Sequence, residues 1–321
     1  MPTAAPAGAA CPVICLAGPT GAGKTALALA LARELDGEII NADSRQVYAD
    51  FPLITAQPSP EERAQAPHHL YGFLPAEQKI SAGRWADMAA AKAREVWARG
   101  RVPLLVGGTG LYFQALLRGM AAIPAIAPEV TRRLAARLAE SGPEALHAEL
   151  ARRDPTYAAR IHPRDRQRIL RALEVLEGTG KPFSWWHGHA MSAPLCAGPL
   201  FVLDASLDWL ATRLGRRLDG MLEAGAVEEA RAALARTPAA AQGARPPGWS
   251  GIGCAELLDH LTGLTSLPEC RARWLTNTRA YAKRQLTWFR ARPEAAFLPC
   301  EGAEGELLSG ARRFLAGKKG A

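Results

Sequence analysis

The sequence LAGPTGAGKTALALALA, residues 16–32, decides the fold of this chain. Its residues 18–25 fit the pattern G-x-x-x-x-G-K-[ST], the phosphate-binding loop that is called a P-loop. Residues 13–17 before the loop are apolar and predict a strand, and residues 26–35 carry small and apolar side chains on every turn of a predicted helix. A strand, a glycine-rich loop and a helix in this order are the context that the motif needs. The stretch therefore predicts an α/β protein that binds phosphate.

The loop offers phosphate ligands of several kinds. Its glycines let backbone N–H groups turn towards phosphate oxygens, and the following helix adds the positive end of its dipole. Lys24 supplies a mobile positive charge, and the Thr25 hydroxyl is a ligand for Mg²⁺. The nucleotide-binding and ATP-binding proteins share this motif, so we expect a di- or triphosphate here. The residues that would hold it are Gly18, Pro19, Thr20, Gly21, Ala22, Gly23, Lys24 and Thr25.

Three later segments, residues 38–42, 103–106 and 200–203, are short apolar runs like the first, and helical stretches such as residues 81–99 separate them. Short strands that alternate with longer helices are typical of a parallel sheet wrapped by helices. Together with the P-loop, this alternation predicts a P-loop NTPase-like parallel sheet core.

Between residues 119 and 199 the strand signal disappears. Three consecutive helices are predicted there instead, over residues 128–140, 142–152 and 164–178. We therefore predict an all-helical insertion domain, residues 119–199, within a discontinuous core formed by residues 1–118 and 200–321. Residues 237–247 are predicted to be a loop, and the segment after Pro299 is predicted to be peripheral.

The composition is that of an ordinary globular protein. Of the 321 residues 48% are hydrophobic and 22% are charged, which excludes a disordered or collagen-like chain. No apolar run approaches the roughly 18 residues of a membrane span, and the first residues lack the basic start of a secretory signal. We expect a cytoplasmic protein that does not bind membranes. The cysteines show no zinc spacing and are interpreted as reduced thiols of the core: Cys11, Cys15, Cys196, Cys254, Cys270 and Cys300.

Two segments concentrate the formal net charge of +8. Residues 152–171 and residues 271–292 each contain seven Lys or Arg side chains, with two acidic residues in the first segment and none in the second. A nucleic-acid backbone selects such clusters because binding releases its condensed counterions. Trp274, Tyr281 and Trp288 recur every seven residues in the second segment, and we interpret them as the buried face of a helix rather than as base-stacking rings. The histidine pairs, at 68–69 and 187–189, have no further ligand at metal-binding spacing.

The chain lacks the usual apparatus of phosphoryl transfer near its third predicted strand. A P-loop kinase or ATPase carries an acidic residue that closes a later strand and organises magnesium, whereas residues 103–106 run into Gly107-Gly108-Thr109-Gly110. Asp204 closes a later strand and is available for that role. Asp43 follows the second strand, at the sheet edge where α/β proteins bind ligands. Its position suits a general base and a helix N-cap equally well.

These motifs together resemble the tRNA dimethylallyltransferases, enzymes that isopentenylate an adenosine next to the anticodon. The resemblance covers nearly the whole chain in the family's order. Its segments are LAGPTGAGKTALALALA (16–32), NADSRQVY (41–48), APHHL (66–70), RVPLLVGGTGLYFQALLRG (101–119), ARIHPRDRQRILRALEVLEGTGKP (159–182) and AKRQLTWFR (282–290).

The resemblance implies a division of labour in the site. In this family the P-loop holds the diphosphate of dimethylallyl diphosphate, with Mg²⁺ on the residue that corresponds to Thr25. The N6 amine of adenosine 37 attacks the dimethylallyl carbon, and Asp43 matches the aspartate that takes the proton. Thr109 matches a second catalytic-site residue, and Arg217 matches an arginine that contacts the diphosphate.

The resemblance also implies a tRNA-binding surface. The insertion domain corresponds to the part that grips the anticodon stem, and we expect the enzyme to act as a monomer. The matching contact residues are Asp43, Ser44, Arg45, Gln46, Thr109, Thr131, Gln167, Arg168, Ile169, Leu170, Arg171, Lys283, Arg284 and Gln285.

Five positions depart from the family pattern. Ile54 and Gln57 stand where the family has a glycine and a lysine, and Cys254 and Ala255 stand where it has an aromatic and a basic residue. At Thr131 the family commonly has an arginine. We expect each departure to remove an RNA contact or a loop hinge.

Three alternatives accompany this interpretation. The chain could be a P-loop small-molecule kinase with Asp204 on magnesium, or an RNA-binding switch that a nucleotide controls. An adenylate isopentenyltransferase, which prenylates free AMP, is the nearest enzymatic alternative. The basic helical insertion argues against it, because a mononucleotide needs no such surface.

Overall fold

The computed structural model describes residues 10–319 and divides into two compact units. The insertion unit is Arg118–Ala193, and the core unit is the rest of the described chain. The sequence places the end of the insertion at residue 199. The chain returns to the core unit at Pro194 because Cys196 and Ala197 already pair with Cys11 and Pro12.

The core unit contains all the strands. They are β1 (Cys11–Pro12), β2 (Ile14–Ala17), β3 (Gly37–Asn41), β4 (His68–His69), β5 (Val102–Gly107), β6 (Cys196–Ala197), β7 (Leu200–Asp204) and β8 (Ala295–Pro299). Six of them form a parallel sheet in the order β4-β3-β5-β2-β7-β8, while β1 and β6 form a separate pair. The four predicted strands are confirmed as β2, β3, β5 and β7. The sequence missed β4, which has two residues, and β8, which lacks a buried apolar run.

Helices cover the sheet and form the insertion unit. They are α1 (Lys24–Leu35), α2 (Pro60–Gln65), α3 (Ala82–Ala98), α4 (Gly110–Arg118), α5 (Pro128–Arg153), α6 (Pro155–Ala158), α7 (Arg166–Thr179), α8 (Phe183–His189), α9 (Leu207–Glu223), α10 (Ala226–Ala235), α11 (Pro238–Ala241), α12 (Cys254–Leu261), α13 (Leu267–Arg290) and α14 (Glu304–Lys319), with a 3₁₀ turn at Gly248–Ser250. The predicted loop at residues 237–247 therefore contains the short helix α11. None of the helices within residues 10–319 is long and apolar enough to cross a membrane.

One aromatic pair fixes the end of β3, where the site begins. Trp85 is fully buried on α3, and its ring stacks on Tyr112 of α4 with centroids 4.0 Å apart and planes 10° apart. The Trp85 indole N–H donates to the Asn41 carbonyl oxygen at 3.2 Å. Because Asn41 is the last residue of β3, this contact ties two helices to the strand end that precedes Asp43.

The insertion unit is helical, as predicted, and has its own apolar core. Helix α5 contains a break at Gly142, where φ is 76° and ψ is 167°, and Pro143 follows it. The two predicted helices, over residues 128–140 and 142–152, are thus the two halves of α5. Leu134, Leu150 and Ile169 are fully buried where α5 packs against α7.

The segment after Pro299 is not peripheral, and that prediction is wrong. Leu307, Ala311 and Leu315 recur every four residues along α14 and are buried. Arg312 of this helix pairs with Glu34 of α1 at 3.2 Å. The interpretation of the cysteines holds better, since all six are free thiols, five of them are buried and Cys300 is half-buried.

A buried carboxylate on β3 depends on three basic side chains. Glu38 is 2% exposed and accepts from His69 at 2.6 Å, from Arg99 at 2.7 Å and from Arg101 at 3.3 Å. Burial by itself raises the pKa of Glu38, but these hydrogen bonds outweigh it and lower the pKa to about 2. The carboxylate is therefore more stable in the folded protein than in the unfolded chain.

We expect Glu38→Gln to lower the free energy of unfolding by about 3 kcal/mol at neutral pH. Because the folded pKa lies below the ordinary value of 4.5, the stabilisation is complete above that pH and is lost as the pH falls towards 2. Urea unfolding of the wild type and of Glu38→Gln should give a difference in the free energy of unfolding that is constant between pH 7 and pH 5 and smaller near pH 3.5. Glu223→Gln, at an exposed glutamate, serves as the control. If the difference between the wild type and Glu38→Gln did not become smaller below pH 5, the account would be contradicted.

Candidate functional site

The carboxyl ends of three neighbouring strands build the site. The P-loop follows β2, Asp43 lies two residues after β3, and Gly107 ends β5. Gly107 has to be a glycine, because an added Cβ would lie 2.2 Å from the carbonyl group of Ala42. The sheet order and this close approach bring the loop, the carboxylate and the glycine-rich turn to one edge.

The P-loop adopts backbone conformations that glycine permits. Gly18, Gly21 and Gly23 have φ of 146°, 84° and 89°. Lys24 Nζ donates to the carbonyl oxygens of Gly18 at 2.9 Å and Pro19 at 2.8 Å, so the loop closes around the ammonium group. Burial lowers the pKa of Lys24 to about 8; the charge of Asp43 works against this shift, and that of Arg217 adds to it. An anion in the loop would restore the full lysine charge.

The two carboxylate oxygens of Asp43 have different surroundings. Its Oδ1 accepts from the Arg45 backbone N–H at 2.8 Å, and its own N–H donates to Asn41 Oδ1 at 2.8 Å. One carboxylate oxygen thus caps the turn. The other, Oδ2, has no hydrogen-bond partner within residues 10–319 and is available to a ligand.

Thr109 locks the turn that carries this carboxylate. Its hydroxyl accepts from the Ser44 backbone N–H at 2.9 Å and donates to Ser44 Oγ at 3.2 Å. Its backbone N–H donates to the Ala42 carbonyl oxygen at 3.1 Å. Tyr281 of α13 hydrogen-bonds the Thr109 side chain, and burial raises the pKa of that tyrosine. Thr109 therefore joins α13 to the turn of Asp43.

Two cavities open at this edge of the sheet. The phosphate cavity, of about 340 Å³, is lined by Thr20, Gly21, Gly23, Lys24, Thr25, Asp43, Gln46, Thr55, Ala56, Pro58, Tyr71, Val106, Gly107, Arg213, Arg216 and Arg217. The second cavity, of about 270 Å³, is lined by Thr20, Asp43, Arg45, Ile54, Thr55, Leu214, Arg217, Leu218, Met221, Ser250, Ile252, Trp274, Thr278, Tyr281 and Arg284. Thr20, Asp43, Thr55 and Arg217 line both cavities. We call the place where these four residues lie the junction of the two cavities.

Helix α9 supplies three arginines to the phosphate cavity. The sequence singled out Arg217 and missed Arg213 and Arg216, although residues three or four apart share one helix face. Arg213 Nε donates to the Gly21 carbonyl oxygen at 3.2 Å. The surrounding walls of the cavity desolvate Arg217 and lower its pKa, while the charge of Asp43 opposes that shift. The cavity thus holds more cationic charge than the P-loop alone provides.

Gln285 lies inside the site rather than on an RNA-facing surface. It is 4% exposed, its Oε1 accepts from the Thr20 backbone N–H at 3.0 Å, and its Nε2 donates to the Gly108 carbonyl oxygen at 2.9 Å. The tRNA contact predicted for Gln285 stays a prediction, and its side chain is engaged within the protein. Both amide atoms are used to connect α13 to the P-loop and to the turn after β5.

The aromatic residues of α13 divide between core and site. Trp274 is buried, as predicted, but its ring also lines the second cavity. Tyr281 lines that cavity too, and Trp288 packs against Gly110, where an added Cβ would lie 2.3 Å from its ring. The prediction of a purely buried face thus missed the part that these rings play in the site.

The other predicted tRNA-binding residues of the core unit surround the cavities. Arg45 donates to Ser250 Oγ at 3.2 Å, and Gln46 donates to the Thr55 carbonyl oxygen at 3.1 Å. Lys283 and Arg284 are exposed on α13. These side chains reach the cavities or the surrounding surface.

In the insertion unit, the predicted contacts fall on two helices. Thr131 is exposed on α5, and Gln167, Arg168 and Arg171 are exposed on the first turns of α7. Leu170 is half-buried, and Ile169 is fully buried in the apolar core of the unit. The Ile169 side chain thus belongs to the core of the unit, and the tRNA contact predicted for this residue stays a prediction.

The remaining departures from the family pattern are accommodated locally. Gln57 Nε2 donates to the Tyr48 carbonyl oxygen at 2.8 Å and so holds the loop that lines both cavities. Ile54 and Cys254 are buried in one apolar cluster, and Ala255 is half-buried.

Comparisons with known proteins point to one family. Residues 46–292 match the family model described as IPP transferase. A tRNA dimethylallyltransferase of Desulfovibrio desulfuricans is 64% identical over 314 residues, which cover 98% of this chain and 96% of that protein. The crystal structure of a tRNA isopentenylpyrophosphate transferase of Bacillus halodurans is 32% identical, with a TM-score of 0.67 over 97% of both chains. A eukaryotic dimethylallyltransferase captured acting on tRNA is 30% identical, with a TM-score of 0.76 over 94% of this chain and 76% of that one.

We expect Gln285→Leu to weaken the binding of inorganic diphosphate about tenfold, because it leaves the Thr20 N–H and the Gly108 carbonyl unpaired and frees the P-loop. The diphosphate affinity of Gln285→Glu should lie between those of the wild type and Gln285→Leu, since the glutamate can still accept from Thr20 but cannot donate to Gly108. Titration calorimetry measures the three affinities. Thr287→Ala, on the exposed side of the same helix, should bind like the wild type, and an unchanged affinity in Gln285→Leu would refute the connection.

Proposed function

The chain belongs to the IPP transferase family and transfers a dimethylallyl group to tRNA; we propose that the donor is dimethylallyl diphosphate and that the acceptor is N6 of the adenosine next to the anticodon, position 37. The observation that carries this proposal is the junction of the two cavities at Asp43 and Arg217. A leaving group in one cavity and a nucleophile entering from the other meet there beside a carboxylate.

The donor diphosphate fits the phosphate cavity. Backbone N–H groups of the P-loop, Lys24 and the arginines of α9 neutralise its charge, and this stabilisation grows as the carbon–oxygen bond breaks. Leu214, Leu218 and Met221 give the adjoining second cavity an apolar wall that suits the dimethylallyl carbons. The carbon that bears the diphosphate then lies at the junction.

The residues present fit a magnesium ion held with the diphosphate. Thr25 is exposed at the start of α1 and lines the phosphate cavity. Within residues 10–319 no group of three or more His, Cys, Asp or Glu side chains could hold a metal ion by itself. Mg²⁺ commonly uses one or two protein oxygens together with substrate phosphates and water, which agrees with a site at Thr25. When bound, the ion neutralises charge on the diphosphate.

In the transfer step the N6 lone pair forms a bond to the first dimethylallyl carbon. The bond from that carbon to the diphosphate oxygen breaks, and its electron pair leaves with the diphosphate. The attacking amine loses a proton, and Asp43 Oδ2 is the free acceptor at the junction. An aryl amine is a poor nucleophile, so a carboxylate at its N–H assists as that proton becomes acidic. Thr109 holds the turn of Asp43 in place.

The acceptor adenosine has to leave the stacked anticodon loop to reach the junction, which costs little for a loop base. Arg45 and Arg284 line the second cavity and can meet the phosphates of that loop. The exposed Gln167, Arg168 and Arg171 of the insertion unit would bind the anticodon stem, which a free-AMP prenyltransferase does not need. One chain supplies both cavities, so we propose a monomer that acts on tRNA in the cytoplasm.

The kinase alternative finds less support. Asp204, the carboxylate proposed for it, accepts from Arg290 at 2.6 Å and lines neither cavity. A carboxylate paired in this way is not in position to organise a metal ion at the P-loop.

Mass spectrometry of nucleosides tests the proposal most simply. Unmodified tRNA incubated with the protein, Mg²⁺ and dimethylallyl diphosphate should gain one C5 unit on the adenosine next to the anticodon. Asp43→Asn should bind diphosphate like the wild type but lose at least about a hundredfold in single-turnover rate, because its amide cannot take the proton. Transfer to another nucleoside, or a normal rate in Asp43→Asn, would contradict the assignment.

Arg217 should act on the donor rather than on tRNA. Arg217→Ala removes a charged hydrogen-bond donor from the phosphate cavity, and we expect the KM for dimethylallyl diphosphate to rise at least about tenfold. The KM for tRNA should change little. Arg231→Ala, an exposed arginine on α10, provides the control. Equal rises in both constants would mean that Arg217 does not serve the diphosphate.

A further inference from the structure

A stack of three side chains lies on the surface of the insertion unit. It begins at the C-terminal end of residues 159–182, one of the segments that carry the family resemblance. Lys181 Nζ lies 3.5 Å from the ring centroid of Trp185, and the His189 ring stacks on Trp185 with centroids 5.0 Å apart and planes 8° apart. Lys181 and His189 are exposed, and Trp185 is half-buried. Trp185 and His189 are four residues apart and share one face of α8, and Lys181, which precedes the helix, lies over the Trp185 ring.

The stack presents nitrogen atoms that the protein does not use. His189 Nδ1 lies 2.9 Å from the Trp185 carbonyl oxygen and donates to it, so the other ring nitrogen, Nε2, is an acceptor. Within residues 10–319 neither Trp185 Nε1 nor Lys181 Nζ has a hydrogen-bond or carboxylate partner. By contrast, the neighbouring Trp186 donates to Thr179 Oγ1 at 3.1 Å and is part of the fold. The stack therefore offers two unused donors and one unused acceptor.

Among residues 10–319, no exposed carboxylate forms a hydrogen bond or an ion pair with α8. Asp154 accepts from the Ser184 backbone N–H at 3.0 Å, but it is 2% exposed and also caps α6. Burial lowers the pKa of the neighbouring His187, and the positive charge of Arg160 lowers it further. The positive charges near the stack are thus Lys181 and Arg160, and they suit an anion such as a phosphate.

A chain of rings connects this surface to the helix that bears the predicted RNA contacts. Tyr157 packs on Phe183 at 4.6 Å between centroids, and Phe183 packs on His187 at 4.4 Å. The positive charge of Arg168 on α7 acts on Tyr157. The stack and the exposed start of α7 therefore belong to one continuous part of the insertion unit.

We propose that Lys181, Trp185 and His189 form a contact surface for the sugar–phosphate backbone of tRNA. Lys181 meets a phosphate, Trp185 Nε1 donates to a neighbouring phosphate or ribose oxygen, and His189 Nε2 accepts from a ribose 2′-hydroxyl. Backbone contacts of this kind position a nucleic acid without reading its sequence. The proposal rests on the proposed function, because it takes tRNA as the acceptor substrate.

Two variants separate the contributions. Trp185→Phe keeps an aromatic ring in the stack but removes the N–H together with the five-membered ring that bears it, so tRNA affinity should fall about threefold with an unchanged salt dependence. Lys181→Ala removes one phosphate contact, so affinity should fall about tenfold and the slope of log K against log salt should decrease by about one. Fluorescence anisotropy of labelled tRNA at several salt concentrations measures both quantities. Lys92→Ala, a lysine of α3 paired with Glu95, is the control and should match the wild type.

Further measurements distinguish the possible failures. The KM for dimethylallyl diphosphate should stay unchanged in both variants, and circular dichroism should show wild-type Tm values. Wild-type tRNA affinity and salt slope in Lys181→Ala and Trp185→Phe would overturn the proposal and leave the stack as part of the fold. A wild-type protein that binds tRNA but prenylates no adenosine would overturn the proposed function alone, and one that binds no tRNA would overturn both.

Discussion

The order of strands in the parallel sheet is the constraint on which the site depends. Because β5 lies between β3 and β2, the three loops that leave their carboxyl ends are neighbours at one edge. Two contacts at this edge are too close for any side chain but that of glycine. Gly107 packs against Ala42 and Gly108 against Gln285, at positions where a Cβ does not fit. Gly107 and Gly108, at the end of β5, are therefore as necessary as the glycines of the P-loop. They let the turn of Asp43 and helix α13 pack close to the phosphate-binding loop.

Charge is distributed according to the two anionic substrates. The diphosphate meets mainly backbone N–H groups, Lys24 and the arginines of α9, in a cavity desolvated enough to lower the pKa of Lys24 to about 8. In the proposed function the tRNA meets exposed arginines and lysines of the basic segments at residues 152–171 and 271–292, although several arginines there also pair with carboxylates of the protein. Gln285 lies in the second segment yet belongs to the diphosphate side. Through it, the helix that faces RNA is joined to the loop that faces the donor.

The local parts of this architecture could be predicted from the sequence, and the long-range parts could not. The P-loop, four strands and the break at Gly142 each leave a signal within a few residues. The contact of Gln285 with Thr20 joins residues 265 positions apart and depends on the final placement of α13, so no local pattern contains it. Ile169 lies in a motif that matches the family's tRNA contacts, while helical periodicity turns its side chain into the core. The sequence does not predict the burial of α14, because the apolar residues of this helix are few and it packs against α1, near the start of the chain.

The central claim is that the carboxylate at the junction of the two cavities receives the N6 proton of the acceptor adenosine. The distance from N6 to the nearer carboxylate oxygen of Asp43 tests it most directly, in a crystal structure with an anticodon stem-loop and an unreactive thio-diphosphate analogue of the donor. The account predicts hydrogen-bond contact, about 3 Å, with the first prenyl carbon on the opposite side of N6 from that oxygen. An N6 atom more than about 5 Å from Asp43, or an adenine that lies outside the junction, would contradict it.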